Sequence, residues 1–346
     1  MAALTPKENY LRVGRGEIPE WVPAFMPYKD HGPATAVAGP FVITSGQAEM
    51  ITGWQQPHGD WKDMWGANYT FEAGMNAGLP KPNAFILDDV SKWEQVIKHP
   101  AVPQHDWAAM AKAELDKIDR TQTAVAAELG FQPFQQLVAF MGFTEALVAL
   151  YEDPGSCIDL LNYMADWYVP RIETTLDYWK PDVMTMGDDT AAQANPFFSI
   201  DVYRSVFKPI YARITKPVKE RGVLINFHNC GRSEDFVGEM IDVGANYWNP
   251  CQEENDLTAV QKKYGSKIAL TGGWKYNIKL DDTESTVRGF VREYLDTYAK
   301  NGGFIAMAFA GDFTAGPEGF AKWAPVNGWI NDEIYEYGTA IYRGRF

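Results

Sequence analysis

The sequence predicts an α/β protein built as a (β/α)8 barrel with an irregular N-terminal extension. Two observations carry this reading. After residue 107, short apolar runs alternate with helical segments, and alternation on this scale means parallel strands joined by crossover helices. The polar, chemistry-bearing residues collect where those runs end, which is where a barrel of this kind keeps its active site. In addition, no G-x-G-x-x-G follows a strand-like run and no G-x-x-x-x-G-K-[ST] occurs, so the fingerprints of an open nucleotide-binding sheet are missing.

Taken in order, residues 1–106 are rich in Gly, Pro and Trp and read as a cover carrying the first strand, PFVITSG (40–46). The stretch GWQQPHGDWKDMWGANY (53–69) has neither a helical nor a strand period. It reads as a long loop layer, either a peripheral cover or the wall of a substrate site, because long ordered loops are usually functional. Residues 107–346 form the main barrel, within a single domain of 1–346. There a helical stretch, WAAMAKAELDKIDRTQTAVAAEL, precedes the strand-like QQLVAFMG (135–142). Helices cover TEALVALYED and CIDLLNYMADWYVPRIETTLDYW. Strand-like runs follow at DVMTMGDD (182–189), VLINFHNCG (223–231), ANYWNPC (245–251), KIALTGG (267–273) and FIAMAFAGD (304–312), with helical segments between them and after the last. Together with PFVITSG and one unassigned strand, these runs make the eight of a barrel.

Composition narrows the function. A chain of 346 residues that is 46% hydrophobic supports a large core. A formal net charge of −14 repels a polyanion, so nucleic acid is not an expected partner. The start has no apolar h-region, and no run of about 18 apolar residues occurs, so no export signal and no membrane span is expected. Cys157, Cys230 and Cys251 are too few and too scattered for a disulfide framework, which points to a reducing cytoplasm.

The ends of the runs hold Asp188, Asp189, His228, Cys230, Asn249, Cys251, Gln252 and Asp312. Along an extended strand, residues i and i+2 share a side, so Asn226, His228 and Cys230 share one face, and Gly231 lets the chain turn directly afterwards. Zinc accepts nitrogen and thiolate together, and a catalytic zinc takes three protein ligands and keeps a position open. Taken alone, the pair fits a core histidine and a buried free cysteine better than a metal site. Cys251 ends the next run and is a candidate third ligand, or a small buried residue beside Pro250. Cys157 lies on an apolar helix face with Ile158 and Leu161 and reads as core. Asp188 and Asp189 fit a site at a strand end; an aspartate near a helix start also fits an N-cap. Asp312, beside Gly311, fits a turn, an oxygen ligand or a proton acceptor.

Over most of its length the chain resembles the uroporphyrinogen decarboxylase superfamily. The resemblance lies in TPKENYLRVGRGEIPEWVP (5–23), LDDVSKWEQVIKHP (87–100), GDDTAAQ (187–193), FHNCG (227–231), NPCQ (249–252) and TGGW (271–274), in this order and at these separations. It implies a distorted (β/α)8 TIM barrel. The decarboxylases proper grip propionates with an arginine-rich motif near the N-terminus and use no metal; here that region offers only Arg12 and Arg15. The cobamide-dependent methyltransferases of the same superfamily hold zinc with a His-x-Cys pair and a late Cys. His228 and Cys230 match the pair, but GGFIAMAFAGDF has no cysteine, which leaves Cys251, Asp312 and Asp188 as candidate third ligands, with Cys251 preferred. The N-terminal block and the Trp-rich segment are similar to the branch that demethylates methoxylated aromatics.

The resemblance therefore implies a cytoplasmic methyltransferase that moves a methyl group from a methoxylated aromatic to the Co(I) corrinoid of a small partner protein. Zinc would be held by His228, Cys230 and Cys251. Asp188 or Asp189 would orient the substrate or protonate the product. Trp54, Trp61, Trp65 and Met186 would line an aromatic pocket, with Asn226, Gln252 and Asp312 as further substrate contacts. The alternatives are a metal-free lyase of the decarboxylase kind, or a methyltransferase using methanol or a methylamine.

Overall fold

The computed structural model describes residues 4–25, 34–39, 59–72, 78–102, 104–311 and 321–343. The chain divides into two compact units. One comprises Met1–Ala36, Ile118–Val125 and Ala245–Phe346; the other comprises Val37–Lys117 and Ala126–Gly244. In chain order the main elements are α1 (Pro6–Gly14), β1 (Thr35–Val37), β2 (Gly59–Lys62), β3 (Asn68–Phe71), β4 (Leu79–Pro80), α2 (Trp93–Val96), α3 (Trp107–Leu115), β5 (Ala124–Glu128), α4 (Pro133–Met141), α5 (Phe143–Glu152), α6 (Pro154–Tyr178) and β6 (Val183–Gly187). They continue with α7 (Lys208–Glu220), β7 (Leu224–His228), α8 (Val237–Val243), β8 (Tyr247–Cys251), α9 (Leu257–Tyr264), β9 (Ala269–Gly272), α10 (Glu284–Tyr298), β10 (Phe304–Ala306) and α11 (Ala324–Tyr342).

In the 37–244 unit, β5, β6 and β7 pair in parallel. Ala126, Ala127 and Glu128 stand opposite Val183, Met184 and Thr185, and Val183 to Gly187 stand opposite Leu224 to His228. Burial alternates along all three strands. Ala127, Leu129, Met184, Met186, Ile225 and Phe227 are buried, while Glu128, Thr185, Gly187, Asn226 and His228 are half-exposed. One face of this sheet therefore packs into the core and the other stays open, as period-2 geometry requires. The buried face meets an aromatic layer, in which Tyr211 of α7 lies edge-on to Phe227 at 5.4 Å and Tyr203 stacks on Phe236 at 4.2 Å.

Three expectations fail in this part of the chain. QQLVAFMG is not a strand: residues 133–141 form α4, with Pro133 in its first turn and Gly142 at φ 86° ending it. Proline at a helix start and a glycine just past its end mark a short helix boundary, and that outweighs an apolar run of strand length. The strand lies earlier, in TAVAAE, which the alanine-rich composition makes look helical. There α3 stops at Leu115, Asp119 ties a turn by accepting from the Thr121 amide at 3.0 Å, and the chain then pairs with β6; tertiary pairing overrides alanine's helix propensity. The Trp-rich segment is also partly a sheet, since β2, β3 and β4 form an antiparallel three-stranded sheet. The run PFVITSG lies outside the described residues.

In the other unit, β8, β9 and β10 are parallel, with Tyr247 opposite Ala269 and Leu270 opposite Phe304. The β8–β9 register shifts between Trp248 and Cys251, where Pro250 has no amide to give. Tyr10 of α1 stacks on Tyr247 at 4.9 Å, and a Cβ at Gly14 would fall 2.2 Å from the Tyr247 ring, so glycine is required for that approach. Glu333 of α11, almost fully buried, is paired by Arg288 and Arg292 of α10.

No single described helix is long and apolar enough to cross a membrane. The pair α4 and α5 reaches that composition only jointly, and it is bent by 112°, with Phe134, Leu137, Phe140 and Leu150 buried in the core.

Candidate metal centre

The open face of β5–β6–β7 carries the site. Its rows run Glu128 on β5, then Thr185, Gly187 and Asp189 on and after β6, then Asn226, His228 and Cys230 on and after β7, all half-exposed. Asn226 Nδ2 donates to Thr185 Oγ1 at 3.3 Å across this face. At its end, one oxygen of Asp189, the imidazole of His228 and the sulfur of Cys230 all lie within 4.8 Å of one another. His228 Nε2 stands 3.4 Å from Cys230 Sγ and 3.8 Å from Asp189 Oδ1.

Three links fix these atoms. The Asp188 amide donates to the His228 carbonyl at 3.0 Å, which continues the ladder one residue past the strands. The Cys230 amide donates to Asp189 Oδ1 at 2.8 Å. Gln135 Nε2 donates to the Asp189 carbonyl at 2.6 Å. Behind them Asn229, fully buried, accepts from the Thr190 amide at 3.1 Å and donates to Thr190 Oγ1 at 2.7 Å. Gly231 has φ 79°, and a Cβ there would fall 2.5 Å from the Ala191 carbonyl oxygen, so only glycine permits the turn that follows Cys230.

This donor set suits zinc. Nitrogen, sulfur and oxygen ligands bound at about 2.0–2.3 Å in a tetrahedron stand roughly 3.4–3.6 Å apart, close to the separations seen here. Burial, with the negative charge of Asp189 and a hydrogen bond to it, pushes the Cys230 thiol up to about 12, so the sulfur is protonated until a cation binds; a coordinated thiol loses its proton outright. Gly187 pairs with His228 and puts no side chain beside the imidazole.

Asp188 lies on the other side of the same strand. It is 1% exposed and caps α4 from outside: Oδ2 accepts from the Phe134 amide at 2.7 Å and from the Tyr211 hydroxyl at 2.7 Å, and Oδ1 accepts from the Gln135 amide at 3.1 Å. Burial raises its pKa to about 7 against those three donors. Met186 shares that buried face.

Cys251 is buried at the end of β8, where its thiol donates to the Trp248 carbonyl at 3.2 Å. Cys157 is buried within α6. Gln252 is exposed and its carbonyl accepts from the Asn255 amide at 3.2 Å. Trp65 is 4% exposed and its indole donates to Tyr168 Oη at 3.1 Å. Trp61 stacks on Tyr69 at 4.5 Å. Trp54 and Asp312 lie outside the described residues. Sequence reasoning missed Gln135, Thr190 and Asn229, which hold the site, and Glu128, which shares its face.

A profile of the uroporphyrinogen decarboxylase (URO-D) family matches residues 64–311. The chain belongs to the uroporphyrinogen decarboxylase family. Its fold class is accordingly α/β, a distorted (β/α)8 barrel. No curated protein matches the chain. Among solved structures, a methyltransferase from Methanosarcina mazei is similar with a TM-score of 0.59 and 12% identity, covering 98% of this chain and 99% of that one; at that identity the likeness is one of fold. A uronate isomerase from Bacillus halodurans C-125 gives a TM-score of 0.32 and 13% identity over 65% of this chain and 54% of that one, too low to bear on the argument.

Proposed function

We propose that this member of the uroporphyrinogen decarboxylase family is a zinc-dependent methyltransferase. It moves the methyl group of a methoxylated aromatic compound to the Co(I) corrinoid of a separate small protein. The observation that carries the reading is the cluster of Asp189, His228 and Cys230 at the open end of two paired strands. In this reading His228 gives a nitrogen, Cys230 a thiolate and Asp189 a carboxylate oxygen, which leaves a fourth position for substrate. Asp189 takes the place that the sequence suggested for Cys251.

Zinc supplies Lewis acidity toward the ether oxygen, which matters because a phenol has a pKa near 10 and its anion is a poor leaving group. The remaining work belongs to the chain. Gly187 puts no side chain beside His228, where an aryl ether would approach. Gln135 and Asn229 hold the Asp189 loop in place as the substrate arrives. Asp188, turned to the core, positions α4 and Tyr211 rather than touching substrate. In the transfer the acceptor supplies the electron pair of the new bond to the methyl carbon, and the C–O pair stays with the oxygen. Trp61, Trp54 and Asp312 are candidates for the substrate wall. Free cysteines agree with a reducing, cytoplasmic setting.

The competing reading is a metal-free decarboxylase, which the family's name favours. Such an enzyme needs cations for substrate carboxylates. Near the N-terminus, however, Arg12 lies 3.6 Å from Glu17 and Arg15 lies 2.9 Å from Glu8, so both cations already have carboxylate partners. To test the proposal, zinc-loaded protein is mixed with a reduced corrinoid protein and a methoxyarene. Phenol should form in step with methyl transfer to the corrinoid. Phenol formed without the corrinoid protein would contradict the proposal. Transfer from methanol or a methylamine, but never from an aryl ether, would keep the reaction class and remove the substrate.

A further inference from the structure

With Asp189 among the ligands and Asp188 on the buried face, the departing oxygen has no proton source from the aspartate pair. Among the described residues the open face of β5, β6 and β7 holds one other carboxyl. Glu128 ends β5 directly opposite Thr185, and Thr185 stands opposite Asn226. Glu128, Thr185 and Asn226 thus form one row across three parallel strands, and His228 is the next residue of β7 on the same face. Neighbouring strands lie about 4.8 Å apart, so the β5 and β7 backbones stand roughly 10 Å from each other. Glu128 and His228 enter that width from its two sides. Between them β6 offers only the Thr185 hydroxyl and the bare Gly187, where an added Cβ would already touch the His228 Cβ at 3.4 Å. The face therefore has a cation-binding edge on β7 and a carboxyl edge on β5, with no bulky side chain from β6 between them.

We propose that Glu128 is the proton donor to the oxygen released at this site. Resting on the methyl-transfer reading above, the step is balanced as follows. The C–O pair remains on the aryl oxygen, the proton of the Glu128 carboxyl moves to that oxygen, and a neutral phenol leaves while Glu128 becomes a carboxylate that solvent reprotonates. The environment suits the role: part of the residue is exposed, but the surrounding protein shields its carboxyl, and that burial raises its pKa to about 7, near the value at which a general acid is both protonated and willing to donate. Among the described residues the titratable groups on that face are Asp189, His228 and Cys230, and none of them contributes to the Glu128 shift.

An acid must be protonated to act, so turnover of the wild type should fall as pH rises through about 7. Glu128→Gln should lower kcat about 100-fold at pH 6, lose that falling limb, and keep KM for the methoxyarene and zinc content. Glu128→Asp, a shorter acid, should recover part of kcat with the limb restored. A readout independent of turnover comes from infrared difference spectra of the corrinoid-free protein between pH 6 and pH 8, which should show one titrating carboxyl fewer in Glu128→Gln. Near-wild-type kcat in Glu128→Gln, or an unchanged pH profile, would overturn the assignment and leave the methyl-transfer reading standing. A wild type that converts no methoxyarene would remove both.

Discussion

The backbone amide of Cys230 donates to Oδ1 of Asp189 at 2.8 Å, so the chain segments after β6 and β7 are keyed together at the atoms offered to a metal. That oxygen retains a lone pair for a cation, and its position is set by backbone rather than by a free rotamer. A ligand held this way loses little freedom on binding.

The first expectation concerns the ligand set. Asp189→Ala, His228→Ala and Cys230→Ser should each weaken zinc binding at least about 100-fold, more than the loss usual for an outer-shell partner. Cys157→Ser, remote within α6, should bind as the wild type does. Zinc titration of the four purified variants checks this, and an Asp189→Ala variant of unchanged affinity would remove that residue from the set.

Cys251 gives a second expectation. Its thiol is buried and engaged with the Trp248 carbonyl, so Cys251→Ser should keep zinc affinity within about twofold and cost about 1 kcal/mol of stability, as substitutions at buried sites commonly do. Loss of zinc in this variant would bring the thiol back as a ligand.

Asn229 gives a third. Asn229→Ala leaves the buried Thr190 amide without its acceptor, which should cost about 2 kcal/mol. Because Asn229 holds the Asp189 loop against the His228 loop, zinc affinity should also fall about 10–100-fold. Chemical denaturation and zinc titration read the two effects separately. Destabilisation with no change in zinc affinity would mean that the clamp supports the fold but not the site.

Asp63 provides a pH test away from the metal. It is buried and accepts from the Trp65 and Ala67 amides and from Gln136 Nε2, yet burial lifts its pKa from 3.8 to about 6. A pKa raised on folding means that the unfolded chain gives up the proton first. Stability is then fullest below about 4 and is lost as pH rises toward and through about 6, by an amount on the order of 3 kcal/mol. Thermal unfolding between pH 4 and pH 7 should show a smaller decline in Asp63→Asn than in the wild type, and equal declines would refute the assignment.

Much of this was legible in the sequence. The runs around 183–187, 224–228, 247–251, 269–272 and 304–306 are strands because apolar interiors and turn residues bound them. His228 and Cys230 fall together because i and i+2 share a face. The same parity separates Asp189, level with Thr185 and Gly187, from Asp188, level with Met184 and Met186, although adjacent identical residues carry no mark of which is which. Glu128 was hidden because TAVAAE has a helix former's composition and becomes a strand only through pairing with β6. Asn229 and Gln135 could not be found, since their partners are 39 and 54 residues away and no local pattern announces such a contact.

The central claim is that the Asp189–His228–Cys230 centre drives methyl transfer, and a zinc titration tests it most directly. Metal-free protein is supplied with a methoxyarene and a reduced corrinoid protein, zinc is added in steps, and methyl transfer to the corrinoid is followed together with phenol release. The account predicts that transfer rises linearly and stops at one zinc per chain, with no rise in His228→Ala or Cys230→Ser. Full transfer by the metal-free wild type, or an undiminished response in those two variants, would contradict it.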